Sequence, residues 1–388
     1  MEFADPKKGN SANSAAETCG MKISPNKMVF FLPPLSYLCI EDHGTNRLRI
    51  SDDVTPQTIR LYYDQEFKIG STIDIGGSAS VRIAYLENST IPLVIKKFFN
   101  SSMEEIINEI KIMRMVSHPN IIRFYGVTKL KDDADYSLVL EYADGGTLEK
   151  YLWDNSENFE LENQFRFAKE IAGAISWLHD EEIIHGDLHP KNILIHRLQP
   201  HLHVIKLTDF GRSCLQDYTK EFTKACGVIP YMDPKIFNIQ ENENHLYGIT
   251  KKSDIYSLGV LLWQLTSCSS PFGFDEIENE RLKVIALEIA IFKGRREDPV
   301  PNTIDKFVEL YQKCWRHEPD ERPDIRKVIS ELKIIESIDP VSNNFYSITS
   351  RNVVSQQKKG ETMENLENDD SVSPSYEDCD INLDKYQM

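Results

Sequence analysis

From about residue 66 to residue 142, short runs rich in β-branched and aromatic residues alternate with polar breaks. Val81 to Tyr85, Leu93 to Phe98, Ile122 to Val127 and Ser137 to Tyr142 read as strands. Between the second and third of these, Ser102 and Glu105 form a capping-box signature, and Ile106, Ile110 and Met113 recur at helical spacing. One helix is therefore expected inside a small sheet. Asp144-Gly145-Gly146 breaks the pattern, and helical stripes dominate beyond it. Ala168, Ile171, Ala172, Ile175 and Leu178 form one. Ile255, Leu258, Gly259 and Leu262 form another, with Ser253 as the expected N-cap. Val328, Leu332 and Ile335 mark a last helix from about Asp324 to Ser337. The chain reads as an α+β protein: a small sheet region, 66–143, then a larger helical region, 144–337. No internal repeat is visible.

The flanks behave differently. Residues 1–27 are rich in small and polar types and read as disordered. Residues 28–65 mix apolar and charged runs without clear periodicity and stay unassigned; they either pack on the adjoining sheet region or form a short separate element. Residues 338–388 are polar and acidic, with Ser371, Ser373, Ser375 and Tyr376 close to carboxylates, as in a solvated tail.

Composition narrows the function classes. Of the 388 residues, 40% are hydrophobic, enough for a substantial core. Acidic residues number 61 against 44 basic ones, a formal charge of −17. That balance counts against nucleic acid or an anionic membrane as the main partner. The longest apolar run, Met28 to Ile40, is too short for a membrane span and contains Pro33-Pro34. The seven cysteines are scattered and form no Cys-x-x-Cys pair, which fits reduced thiols in the cytoplasm, or the nucleus. The oligomeric state is left open.

The chemistry concentrates in two loops. His185-Gly186-Asp187-Leu188-His189-Pro190-Lys191-Asn192 is followed by Asp209-Phe210-Gly211, each beside an apolar strand-like run. Val94-Ile95-Lys96 lies on an expected strand and Glu109 on the expected helix. Cys314-Trp315, Pro319 and Arg322-Pro323 come near the end. In this order the segments resemble those of eukaryotic protein kinases, most closely the tyrosine-kinase-like group, over about residues 66 to 337.

The resemblance implies a bilobal protein-kinase fold, with a small antiparallel-sheet N-lobe carrying one main helix and a larger, mostly helical C-lobe. It implies ATP and Mg2+ as cofactors and a protein as substrate. Asp187 would be the catalytic base, and Asn192 and Asp209 the metal ligands, hard oxygen donors of the kind Mg2+ prefers. Lys96 would contact the α- and β-phosphates and Glu109 would pair with it. Lys96 and Lys97 point to opposite faces of their strand, so only one enters the cleft. Gly76, Val81, Val94 and Leu194 would line the nucleotide. Leu140 would be the gatekeeper, and the backbone of Glu141 and Ala143 would bond the adenine edge.

Several positions depart from the family. The glycine-rich loop has Asp74 and Ala79 where glycines are usual, and only Gly76 and Val81 agree. Gly186 replaces the arginine before the catalytic aspartate. His189 replaces the lysine that stabilises the moving phosphate, a charge that Lys191, by its spacing, is expected to supply. Lys235 stands in place of a glutamate that normally pairs with an arginine, here Arg322; another acid must compensate or Lys235 must turn outward. Val228 replaces a threonine typical of Ser/Thr kinases. Ser213, Thr219 and Thr223 are candidate phosphosites. The reading is a protein kinase acting on serine or threonine first. The alternatives are a protein tyrosine kinase and an ATP-binding pseudokinase scaffold.

Overall fold

The computed structural model describes residues 38–41, 47–50, 58–76, 79–99, 101–131, 136–216, 227–237 and 248–338. The first part is one eight-stranded sheet. Its strands are β1 (Leu38–Glu41), β2 (Arg47–Ile50), β3 (Thr58–Tyr63), β4 (Phe67–Ile75), β5 (Ala79–Leu86), β6 (Pro92–Phe98), β7 (Phe124–Lys129) and β8 (Ser137–Glu141). They lie in the order β1-β2-β3-β7-β8-β6-β5-β4. Every pairing is antiparallel except that of β3 with β7.

The four strands expected from β-branched runs are β5 to β8. β4 is not among them, although Phe67, Ile69, Ile73 and Ile75 alternate along it; on this edge strand only Phe67 is buried. β1 to β3 fall in the stretch that periodicity left unassigned. β3 lies parallel along β7, a pairing of residues far apart in sequence with no local signature. Gly126, at φ +152°, permits this approach: a Cβ there would stand 2.3 Å from the Arg60 carbonyl oxygen. The Thr128 hydroxyl donates to the Tyr62 carbonyl at 3.1 Å. Ile59 and Leu61 are buried in the same cluster as the N-lobe helix, and Tyr62 packs on the opposite face with Phe67. Each such apolar burial stabilises by roughly 1.5–3 kcal/mol.

That helix, α1 (Met103–Met115), begins as its sequence dictates. The Ser102 hydroxyl accepts from Glu105 N–H, and the Glu105 carboxylate accepts from Ser102 N–H at 2.7 Å. Its inward stripe is Ile106, Ile110, Ile112 and Met113, joined by one buried acid, Glu109.

The second part is mainly helical. It comprises α2 (Leu148–Asp154), α3 (Leu161–Asp180), α4 (Lys251–Ser267), α5 (Phe274–Ile277), α6 (Arg281–Phe292), α7 (Asp305–Cys314) and α8 (Ile325–Ile338). Two small hairpin-like pairs cross it: β9 (Ile183–Ile184) with β12 (Cys214–Leu215), and β10 (Ile193–Gln199) with β11 (Leu202–Leu207). α4 is buried from Ser253 to Leu265 and forms the axis of this lobe. Its N-cap is Thr250 rather than Ser253. The Thr250 hydroxyl accepts from Ser253 N–H, and the Ser253 hydroxyl accepts from Thr250 N–H at 3.1 Å, so Ser253 closes a reciprocal box one turn inside.

The lobes are joined after β8. Gly145 N–H donates to the Ile195 carbonyl and Ile195 N–H to the Gly146 carbonyl, both at 2.8 Å. A Cβ on Gly145 would lie 2.7 Å from that carbonyl, so the crossing needs glycine. Lys206 on β11 adds an ion pair to Glu141 at 2.8 Å.

The exchange at Lys235 is resolved in both expected ways at once. Arg322, fully buried, takes the Asp233 carboxylate in a fork at 2.6 and 2.9 Å. Lys235 turns outward to Glu318 at 2.7 Å. The acid has moved two residues earlier in the chain, and the buried arginine keeps its partner. Asp233→Ala is expected to destabilise by about 3–5 kcal/mol, because it strands a buried guanidinium. Lys235→Ala removes only an exposed pair and should cost less than about 1 kcal/mol. Urea unfolding of both variants measures the difference.

Glu170 on α3 accepts from Ile205 N–H on β11 at 2.8 Å. Burial pushes its carboxyl from 4.5 up to about 7, against the pull of that bond, Arg166 and Lys169. The fold thus favours the neutral acid. Its contribution to stability is full below 4.5 and is lost as pH rises through about 7. Glu170→Gln keeps the acceptor and should flatten this decline by about 1–2 kcal/mol. Urea midpoints of wild type and variant at acid and alkaline pH test it.

Candidate active site

The site forms where the sheet faces the helical lobe. Register places Val81 opposite Lys96 and Val94 opposite Leu140, so these four side chains share one face. Lys97 points to the other face, as strand alternation requires. The Lys96 ammonium reaches Glu109 Oε1 on α1 at 2.8 Å and Asp209 Oδ1 at 2.9 Å. Burial opposes the charge on Lys96, yet the Glu109 and Asp209 carboxylates beside it raise its pKa well above the ordinary value. Burial also opposes ionisation of Asp209, but Lys96 and the Gly211 N–H hold its carboxyl below the usual value. A positive post bound to two acids is thus fixed at the mouth of the cleft.

Asp209 sits at φ +65°, a conformation a non-glycine residue adopts only under constraint. The constraint comes from both sides. Lys96 holds the carboxylate, and Phe210 is fully buried with its ring 5.2 Å from that of His185. His185 Nε2 faces the Thr208 carbonyl at 3.2 Å, and burial lowers the imidazole's pKa, so it stands as a neutral packing group.

The loop carrying Asp187 hangs from α4. Asp254 accepts from His185 N–H and Gly186 N–H, each at 2.9 Å, and from His179 Nε2 at 2.9 Å. Asn192 Nδ2 donates to the Asp187 carbonyl at 2.9 Å and to its Oδ2 at 3.3 Å. This leaves the Asn192 amide oxygen as a free acceptor type beside the base. Asp187, Asn192 and Asp209 lie on segments tied together by Thr208 N–H donating to the Asn192 carbonyl at 2.9 Å.

The remaining expected positions line the cleft edges. Leu194 bridges Thr147 just beyond the lobe crossing, and Ala143 is half-buried before it. Glu141 uses its own N–H for the Arg123 carbonyl and its carboxylate for Lys206 and Arg123 N–H. Gly76 donates its N–H to the Ala79 carbonyl at 2.9 Å, and Asp74 is exposed, so its carboxylate faces solvent.

Lys191, half-exposed, lies 3.8 Å from Glu149. One expectation changes. Ser213 is fully buried, its hydroxyl donating to the His185 carbonyl at 2.9 Å, so it is a strut rather than an accessible phosphosite. Asn108 on α1 donates to the Ser213 carbonyl at 2.7 Å and extends that strut to the N-lobe helix. Thr219 and Thr223 lie outside the described residues. One residue near the base was not assigned from the sequence: Arg212, whose Nη1 lies 3.7 Å from Asp187 Oδ1. His189, which replaces the family's lysine, has its Nε2 3.6 Å from Oδ2. Position next to Asp209-Phe210-Gly211 was the one signal available for Arg212.

Residues 67–332 match the protein kinase domain family, and the chain belongs to it. It is similar to Dual specificity protein kinase splA of Dictyostelium discoideum, 29% identical over 72% of this chain and 12% of that protein. It is also similar to Serine/threonine/tyrosine-protein kinase HT1 of Arabidopsis thaliana, at 27% over 65% of this chain and 59% of the relative. Mitogen-activated protein kinase kinase kinase 7 of Drosophila melanogaster matches at 28% over 69% of this chain and 38% of its own length. The chain therefore spans less than two thirds of each of these relatives. No helix among the described residues is long and apolar enough to cross a membrane.

Lys96→Met removes the charge that ties Glu109 to Asp209 and leaves two acids facing each other. Phosphate incorporation from labelled ATP should fall about 100-fold or more. Thermal melting should show the fold retained.

Proposed function

We propose that this chain transfers the γ-phosphate of ATP to a hydroxyl of a protein substrate, with serine or threonine first and tyrosine second. The observation that carries the reading is the single ammonium of Lys96 held by Glu109 and Asp209, beside a base loop in which Asn192 is bonded to Asp187. In a phosphoryl transfer the protein contributes mainly position and charge. Lys96 would hold the α- and β-phosphates, and Glu109 would limit its motion. Val81, Val94, Leu140 and Leu194 would enclose the base of the nucleotide, with the Glu141 and Ala143 backbone at its edge. Asp187 would accept the proton of the acceptor hydroxyl.

The donor set fits Mg2+. Asp209 offers a carboxylate and Asn192 an amide oxygen, and an ion of this kind completes its shell with phosphate oxygens and water. When bound it would neutralise charge between the terminal phosphates. Serine and threonine come first because Asp187 to Asn192 lacks the paired Ala-Arg pattern of tyrosine kinases. Relatives named for both specificities keep tyrosine in view. The excess of acidic residues supports a protein partner over nucleic acid, and the free thiols of Cys214, Cys268 and Cys314 suit a cytoplasmic or nuclear setting.

The altered glycine loop supports the rival, a scaffold that binds ATP without turnover. Asp187→Asn separates the two. Wild type should incorporate labelled phosphate into itself, and the variant should bind ATP within about threefold of wild type while incorporation falls about 100-fold or more. Equal incorporation in both rejects the base. No incorporation in either, with ATP bound, favours the scaffold.

A further inference from the structure

The phosphoryl group in flight carries negative charge past Asp187, which is itself an anion. In this family a lysine normally stands two residues after the base to offset that repulsion, and here the position is His189. An imidazole is charged only when protonated, whereas a guanidinium is charged at every physiological pH. Lys191 faces Glu149 at 3.8 Å, with both side chains partly exposed. Among the described residues, the permanently charged group beside Asp187 is Arg212, its Nη1 3.7 Å from Oδ1.

Two glycines clear the space for this arrangement. Gly186 adopts φ +76°, and a Cβ there would lie 2.9 Å from the Arg212 carbonyl oxygen and 2.7 Å from Ile249 Cδ1. Gly227 adopts φ +142°, and a Cβ there would lie 3.0 Å from Arg212 Nη1 and 3.2 Å from Asp187 Oδ1. The bare backbone at 186 lets the Arg212 main chain pack against the base loop. The bare backbone at 227 leaves the guanidinium and the carboxylate facing one another. Arg212 is one-quarter exposed, so it can reach a group entering from the cleft. On the opposite side, Asn192 Nδ2 holds Oδ2 at 3.3 Å. Arg212 thus faces one oxygen of Asp187, while Asn192 and, at 3.6 Å, His189 face the other.

We propose that Arg212 is the positioning residue of the transfer step, orienting Asp187 and screening the charge that moves past it. The proposal rests on Asp187 being the base. In the step, the acceptor hydroxyl gives its proton to Asp187 and its oxygen forms a bond to the γ-phosphorus. The bond from that phosphorus to the bridging oxygen breaks, and its electron pair leaves with ADP. Arg212 makes and breaks no bond; it holds the base and screens the moving charge.

The test measures autophosphorylation of the full chain against ATP concentration, giving a maximal rate and a half-saturating ATP level. Variants are Arg212→Met, Arg212→Lys, Lys191→Met and, as control, Asp187→Asn, each checked by thermal melting. Arg212→Met should lower the maximal rate about 10- to 100-fold with the half-saturating ATP level changed less than about threefold. Arg212→Lys should recover part of the rate, and Lys191→Met should cost less than Arg212→Met. A maximal rate for Arg212→Met within about threefold of wild type overturns the proposal. So does a larger loss in Lys191→Met, which returns the charge to Lys191. Equal loss in Arg212→Met and Arg212→Lys with lowered melting points makes the residue structural only, and also overturns it. An active Asp187→Asn overturns the base assignment beneath it, a result distinct from these.

Discussion

The Lys96 ammonium is the joint on which the site depends. It comes from a strand, Glu109 from the N-lobe helix and Asp209 from a loop of the other lobe, and each contact is a charge-assisted bond under 3 Å. A buried cation without acids is untenable, and two acids without the cation repel. Three elements with separate origins are therefore held to one geometry by a single group. The left-handed backbone at Asp209 is a strained conformation that this pairing helps retain.

Around that joint the protein supplies rigid supports. Asp254, deep on α4, holds the amides of His185 and Gly186 and so hangs the base loop from the axis of the large lobe. Ser213 and Asn108 link that loop back to α1, so the helix carrying Glu109 is tied to both lobes. β3, a strand that precedes the family match, buries Ile59 and Leu61 in the same large core cluster that takes in α1.

The departures from the family pattern find physical partners. Lys235 and Asp233 exchange the acid and the base around Arg322 without leaving the buried charge alone. Gly186 is missing a side chain, and the space is taken by the Arg212 main chain and Ile249. Taken one at a time along the chain, these positions look like losses. In three dimensions each is matched by a neighbour that occupies the space or balances the charge.

Much was legible in the chain by itself. Runs rich in β-branched and aromatic residues gave β5 to β8, the Ser102 and Glu105 pair gave the start of α1, and the residue types in the two loops gave the chemistry, because local geometry and donor chemistry depend on neighbours in sequence. The strands before β4 were not legible, since β3 is paired along β7, far away in sequence; β4 was passed over although its apolar residues alternate. Ser253 was read as a cap because one hydroxyl precedes the stripe, whereas the backbone chose Thr250 and used both. The direction of Lys191 toward Glu149, the burial of Ser213, the pairing of Asp233 with Arg322 and the approach of Arg212 to Asp187 were decided by tertiary structure alone. Where a long side chain ends is fixed by which opposite charge lies within its reach, and that distance exists only once the chain has folded.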